Sequence, residues 1–340
     1  MRSAVTIRDV AREAGVHPGT VSRALNEETR ALVNQETAAR VLQVAEKLGY
    51  RANRIARGLK TSRSHTIGVL IPDITNPLFP PILRGIEDRL AHDGYTALIV
   101  NTDNDPKRER SHVEAMRARQ VDGFISATAR LDRELLDEIG AGQVPLVLVN
   151  RSVEDRSVSS VTVDDRRGIK LAVDHVVSLG HSRIGHVGGP QNLSTGHQRY
   201  LGFVEAMQAA GLQVTERNVA FAGYFTEEQG AAACAALLAA DPEITAIVAA
   251  NDLLALGCYD AVRERGVRCP DDVSIVGFND MPFIGRLLPP LTSVRIPHRE
   301  IGTAAADLLL GQLAEGDGSA NEVLLAPALV IRESTAPPAR

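Results

Sequence analysis

The chain has 340 residues, of which 44% are hydrophobic, 23% charged and only 4% aromatic. That length allows two or three domains with a well-buried core. No run approaches the roughly 20 apolar residues of a membrane span, and Asp9, Arg12 and Glu13 break the basic-then-apolar order of a secretory leader. A cytoplasmic protein is therefore expected, with Cys234, Cys258 and Cys269 as reduced thiols, since they lack metal spacing. The net charge of −5 is unevenly spread: residues 1–63 hold twelve Lys/Arg against six Asp/Glu, and the remainder 25 against 36. A basic head on an acidic body suits a nucleic-acid-binding module attached to a regulatory body; chance clustering is the plain alternative.

Thr6 to Asn26 reads as two short helices around a tight corner. Val10, Ala11 and Ala14 give the first a narrow apolar face, Gly15 permits the positive φ that ends it, and Val16 plugs the corner. Pro18 sits where the first turn of a helix tolerates proline. Val21, Ala24 and Leu25 form the packing face of the second helix, which turns His17, Gly19, Thr20, Ser22 and Arg23 outward. Such a unit is either an ordinary helical hairpin or a helix-turn-helix whose second helix enters the major groove. A polar loop at Glu27–Arg30 leads to a third helix carrying Val41, Val44, Ala45 and Leu48 and closed by Gly49. Residues 1–50 are thus expected as an all-α three-helix head, with Tyr50 as either an aromatic plug or a phosphate contact.

Residues 51–65 differ in kind. Arg51, Arg54, Arg57, Lys60 and Arg63 recur every three residues, interleaved with Ala52, Ile55, Ala56 and Leu59. A helix this short is marginal alone in water, so the segment reads as a hinge that becomes helical against a partner, or as a plain basic linker.

From Thr66 onward, short apolar runs alternate with helix-period stretches. The expected strands are Ile67–Ile71, Ala97–Val100, Gly123–Ser126, Leu146–Val149, Val161–Val163, Ile184–Val187, Val219–Phe221, Ala246–Ala249 and Val273–Gly277. Helical patterns such as Ile82–His92, Arg108–Ala118, Ile169–Leu179, Gln198–Ala210, Gln229–Ala239 and Leu253–Arg265 lie between them. This alternation predicts parallel sheets with crossover helices on both faces. It is too long for one sheet and restarts near His181, so residues 66–340 are expected as an α/β core of two similar lobes. The first lobe would span about 66–165 and 294–326, and the second about 166–293 and 327–340.

Open parallel sheets bind ligands beyond the strand C-termini, so two facing lobes imply a cleft lined by strand-end polar residues. The candidates are Asp73, Asn101, Thr128, Asn150, Arg151, Asp164, Asn251, Asp252, Asn279 and Asp280. Singly, each reads equally as a turn former or helix cap; their recurrence favours a shared cleft. Gly188-Gly189-Pro190 resembles a fragment of a phosphate loop, but GxxxxGK[ST], GxGxxG, HExxH and GxSxG are all absent and the nine histidines are scattered. Neither a cofactor nor a metal nor an enzymatic activity is expected.

The order of these motifs resembles the lactose/galactose-repressor (LacI/GalR) family of transcription regulators nearly end to end. The resemblance rests on Thr6–Ala11, Gly15-Val16, Thr20–Asn26, Ala56-Arg57-Gly58-Leu59 and Ile71–Pro77. It continues through Val121-Asp122-Gly123, Val163-Asp164-Asp165, Leu179-Gly180-His181, Asn251-Asp252, Val273–Asp280, Pro289–Thr292 and Arg332-Glu333-Ser334. It implies a homodimer on a pseudo-palindromic double-stranded operator and a core like a periplasmic binding protein. A small-molecule effector, a sugar or sugar acid, would close between the lobes and control operator affinity. A solute-binding protein of transport shares such a core but would carry a leader rather than a basic helical head.

The DNA contacts this implies are Thr6, His17, Pro18, Gly19, Thr20, Ser22, Arg23 and Asn26, with Arg54, Ala56, Arg57, Leu59 and Lys60 in the hinge. Leu59 would be a minor-groove wedge. Pro18 and Gly19 stand where long polar readers are common in the family, so base discrimination shifts to His17, Thr20, Arg23 and the hinge. The implied effector contacts are Asp73, Leu78, Phe79, Thr128, Asn150, Arg151, Arg199, Phe225, Asn251, Asn279 and Asp280. Arg199 would make bidentate contacts and Phe225 would stack on a sugar face. Asn279 replaces the family's Asp, so either Asp280 compensates or the effector carries negative charge. The proline-broken tail, residues 336–340, offers no heptad for a tetramer.

Overall fold

The computed structural model describes residues 5–50, 63–131, 144–154, 157–315 and 319–339. The chain divides into two compact units, residues 1–64 and 65–340.

In the first unit, α1 (Ile7–Ala14) opens on Thr6. The Thr6 N–H and hydroxyl donate to the Asp9 carboxylate at 3.0 and 2.7 Å, which holds that carboxyl below its usual range. Gly15 ends α1 at φ 67°, where a side chain would be strained, and the Val16 N–H returns to the Ala11 carbonyl. α2 (Pro18–Leu25) follows, then α3 (Glu27–Arg30) and α4 (Gln35–Lys47). Glu27–Arg30, expected as a loop, is a single helical turn. Its residues complete α2: the Thr29 hydroxyl donates to the Arg23 carbonyl and Arg30 Nε to the Ala24 carbonyl, satisfying acceptors that a helix end leaves open. Val10, Ala11, Ala14, Val21, Ala24, Ala38, Val41 and Ala45 form the buried core, and Tyr50 packs against it as a plug.

The second unit holds β1 (Thr66–Ile71), α5 (Phe79–His92), β2 (Thr96–Asn101), α6 (Pro106–Ala118), β3 (Gly123–Ser126), β4 (Leu146–Val149) and β5 (Ser159–Val163). These are followed by α7 (Asp165–Ser178), β6 (Ile184–Gly188), α8 (Ser194–Ala209), β7 (Val219–Phe221), α9 (Glu227–Ala240), β8 (Ala246–Ala249), α10 (Asp252–Glu264) and β9 (Ser274–Asn279). β10 (Thr292–Arg295), α11 (His298–Glu315), β11 (Glu322–Leu325) and β12 (Ala328–Val330) complete it.

Two six-stranded sheets result, in the orders β11-β5-β4-β3-β1-β2 and β12-β10-β9-β8-β6-β7. Both follow the same doubly wound scheme, with the first strand between the second and the third. The central strands are buried on both faces, as continuous apolar runs require, while edge strand β2 is half-exposed. The sheets are parallel except where β12 runs antiparallel to β10, pairing Ser293 with Val330. β10 extends to Arg295 in the second sheet, so the chain returns to the first lobe at 296–297 rather than at 294. It then forms α11, packed on α5 and behind β3 and β4.

The lobes therefore join at three places, after β5, after β10 and between β11 and β12. The segment beyond β12 is sewn onto the second lobe through Ser334, fully buried. Its hydroxyl donates to the Ile275 carbonyl at 2.6 Å and accepts the Thr292 N–H at 2.8 Å.

Candidate functional site

On the head, α2 presents Ser22 and Arg23 to solvent and leaves Pro18, Gly19, Thr20 and Asn26 half-exposed. Thr6 caps α1, and His17 caps α2: its Nδ1 accepts the Gly19 N–H at 3.1 Å. Because Nδ1 is an acceptor, only Nε2 of the neutral ring remains as an outward donor. Arg54, Ala56, Arg57, Leu59 and Lys60 lie outside the described residues.

In the second unit, the C-terminal ends of both sheets line one cavity of about 180 Å³. Nine of the eleven expected effector contacts are there: Asp73, Leu78, Phe79, Asn150, Arg151, Arg199, Phe225, Asn251 and Asn279. Several also serve the local roles that strand ends favour. The Asn251 side chain caps α10 by accepting the Leu254 N–H, and Asp73 accepts the N–H and hydroxyl of Thr75. Asn150 and Asn279 sit at φ 65° and 111°, backbone strain of the sort held at ligand sites.

Thr128 and Asp280 are not in the lining. Thr128 turns to the back of β3, where its hydroxyl meets Ser126 and the Glu109 carboxylate. Both oxygens of Asp280 are taken, one by Arg295 Nε and one by Arg332 Nη2, each at 2.6 Å. Asp280 is therefore held by two arginines outside the cavity lining rather than standing in for the carboxylate missing at 279. Asn101, Asp164 and Asp252 likewise serve the fold: the Asn101 side chain accepts the Ile74 N–H and that of Asp164 the Arg167 N–H.

Arg199 is 3% exposed, with Nε on Asp165 and Nη1 on the Ala250 carbonyl, both at 2.7 Å. Its guanidinium lies 3.9 Å from the centre of the Phe278 ring. Two of its five donors are thus held by the protein, and those left for a ligand are on Nη1 and Nη2. Burial pushes the Asp165 carboxyl up, and Arg199 opposes that shift.

Residues not anticipated in the lining include Asn76, Asn104, Arg130, Asn192, Thr195 and Tyr224. Thr195 was legible, because it lies four residues before Arg199 on α8 and so shares its face. The Gly-Gly-Pro stretch is packed too tightly for side chains: a Cβ on Gly189 would stand 2.3 Å from the Phe225 ring, and one on Gly196 of α8 2.0 Å from the Pro190 carbonyl oxygen. The stretch lets α8 approach the β6 loop rather than cradle a phosphate.

The loop behind Asn279 is held by Asp252, fully buried. Its carboxylate accepts the Met281 N–H at 2.8 Å and the Ser293 hydroxyl at 2.6 Å. Burial pushes this carboxyl up to about 7. A raised folded-state pKa means folding takes up a proton between about pH 4 and 7. The contribution of Asp252 to stability is thus complete below pH 4 and lost as pH rises to 7. Asp252→Asn should erase a fall on the order of 4 kcal/mol across that window. Melting temperatures of the two proteins from pH 4 to 8 would show it, and parallel profiles would refute the assignment.

A helix-turn-helix head and a two-lobed cleft in one chain define a ligand-responsive transcription regulator. Residues 6–53 match the model of bacterial regulatory proteins of the lacI family, and residues 173–335 match a periplasmic binding protein-like domain. The chain is 34% identical to the ribose operon repressor of Halalkalibacterium halodurans, across 97% of each protein. Its fold is similar to the lac repressor dimer bound to operator and an anti-inducer, with TM-score 0.86, 27% identity and coverage of 98% and 100%. It is also similar to an Enterococcus faecium LacI-family regulator with bound ribose, at TM-score 0.70, 32% identity and coverage of 80% and 99%. The chain belongs to the lacI family of bacterial regulatory proteins.

Proposed function

We propose that this chain represses transcription as a cytoplasmic homodimer on a pseudo-palindromic operator, and that a sugar or sugar derivative in the cleft sets its operator affinity. In this reading, residues 1–50 bind the major groove through α2, residues 51–65 form the hinge, and Leu59 is the minor-groove wedge. The cleft carries the reading: strand-end Asn150, Asn251 and Asn279 converge with Arg199 and Phe225 on one cavity between two doubly wound lobes. Amide groups and a guanidinium edge suit hydroxyls, and an aromatic face suits the C–H side of a sugar ring.

Support from relatives runs the same way, since a ribose operon repressor is similar in sequence along nearly the whole chain and a ribose-bound regulator shares the fold of the second unit. Purified protein should bind its own promoter region with at least a ~10³-fold preference over random DNA, and the affinity should fall steeply with salt. A sugar that raises the melting temperature by mass action should shift that affinity too. Equal affinity for promoter and random DNA would overturn the regulator reading; a stabilising sugar without effect on operator affinity would overturn the switch.

A further inference from the structure

The second unit begins at His65, where the expected hinge ends. That residue is held at three points. Its N–H donates to the Asp122 carboxylate at 2.9 Å, its carbonyl accepts the Thr96 N–H at 2.9 Å, and its ring lies 5.1 Å from that of buried Tyr95. The backbone of His65 is left-handed, at φ 51°. A non-glycine residue keeps that conformation only where its surroundings fix it. Asp122 is fixed in turn, since its own N–H donates to the Thr66 carbonyl at 2.8 Å and the next residue opens β3.

A doubly wound lobe does not need this clamp, as the second lobe shows. Ile184 of β6 pairs with the first residue of β8 just as Ile67 of β1 pairs with the first residue of β3. Ser182 then takes the place of His65 and lies outside the left-handed region, and Thr245 takes the place of Asp122. The Thr245 side chain meets the Arg183 carbonyl and the His181 ring. β6 is entered from α7, whereas β1 is entered from the hinge, so the clamp goes with the hinge. It also lies apart from the ligand cavity: the six residues of β1 span roughly 20 Å before Pro72 and Asp73 reach the lining.

We propose that Asp122 is a positioning residue for the hinge. Through the His65 N–H, its carboxylate fixes the direction in which the preceding chain leaves the second unit, and so sets operator affinity. This rests on the hinge reading above and adds to it. A charge-assisted bond to a backbone N–H is strong and directional, and an exit fixed in advance lowers the ordering cost of binding DNA. Where loosening leaves the productive direction populated about a tenth of the time, apparent affinity falls by that factor.

The test is titration of the full-length protein with a promoter fragment and with random DNA of equal length, alongside melting of the second unit. Asp122→Ala should weaken promoter binding about tenfold. Binding to random DNA should change less than about threefold, and the melting temperature should hold. Asp122→Asn keeps an acceptor oxygen in place and should recover most of the loss. His65→Gly keeps the left-handed backbone accessible but frees the exit, so it should lose about as much as Asp122→Ala. The double variant should lose no more than either single, because both act through one joint.

An Asp122→Ala protein within about twofold of the parent on its promoter, or equally weakened on random DNA, would overturn the proposal and leave the regulator reading intact. So would losses that multiply in the double variant, or an Asp122→Asn protein as weak as Asp122→Ala. A second unit that melts lower in Asp122→Ala would assign the carboxylate to the fold instead. A parent protein with no preference for its promoter would overturn both readings.

Discussion

Arg199→Ala is expected to do two kinds of damage at once. It removes a donor edge from the cleft, so ligand binding and the ligand's effect on operator affinity should disappear. It also strands Asp165, whose carboxylate is buried and bonded to Arg199 Nε at 2.7 Å. An uncompensated buried charge costs about 3–5 kcal/mol, and the second unit should lose stability on that scale.

The sequence alone predicts only the first effect. Asp165 lies 34 residues before Arg199, and nothing in local spacing pairs them. The double variant Asp165→Asn/Arg199→Gln separates the two, because a neutral pair recovers most of the stability and none of the ligand response. Urea unfolding alongside ligand titration measures both. An Arg199→Ala protein within about 1 kcal/mol of the parent would show that the ion pair contributes little net stability.

The second large effect belongs to the head. Val21 is fully exposure-free at the centre of a core of only eight buried residues, on an α2 of just eight. Val21→Asp places an unpaired carboxylate there, which so small a core cannot absorb. The first unit should unfold and promoter binding should drop to the background for random DNA. Ligand binding and the melting of the second unit, which has its own hydrophobic core, should be unchanged. Arg23→Ala is the control. Arg23 is exposed, so its loss should cost about 1–3 kcal/mol of promoter affinity without unfolding. Promoter affinity surviving Val21→Asp would remove α2 from the interface.

What the sequence made legible, and what it hid, has a physical pattern. Most of β1 to β9 stand out because a central parallel strand buried on both faces is a continuous apolar run, and the edges β2 and β7 keep apolar stretches of their own. β10, β11 and β12 do not. Thr292-Ser293-Val294-Arg295 is polar, and its burial depends on Ser334 and Asp252, about forty residues away on either side. β11 and β12 are short edges that alternate or half-expose.

The cleft divides in the same way. Strand-end Asn150, Asn251 and Asn279 follow from topology alone. Whether a given polar end faces the ligand or the fold depends on distant partners: Arg332 takes Asp280, and Glu109 takes Thr128. Arg151 was legible as a candidate, but the burial of its Nε without a partner among the described residues was not.

The three crossings between the lobes bear on how the chain is made. β5 cannot be flanked on its outer side until β11 exists, about 160 residues later, and β9 waits on β10, β12 and Ser334. A ribosome releasing residues in order would free the head to fold early from local contacts, while each half of the core remains an open sheet edge until residues 322–336 emerge. Pairings so far apart in sequence fold slowly, and unfinished parallel sheets expose apolar edges. The core is thus the part of this chain most exposed to aggregation and chaperone capture during synthesis, and neither lobe corresponds to a contiguous stretch that could be expressed alone.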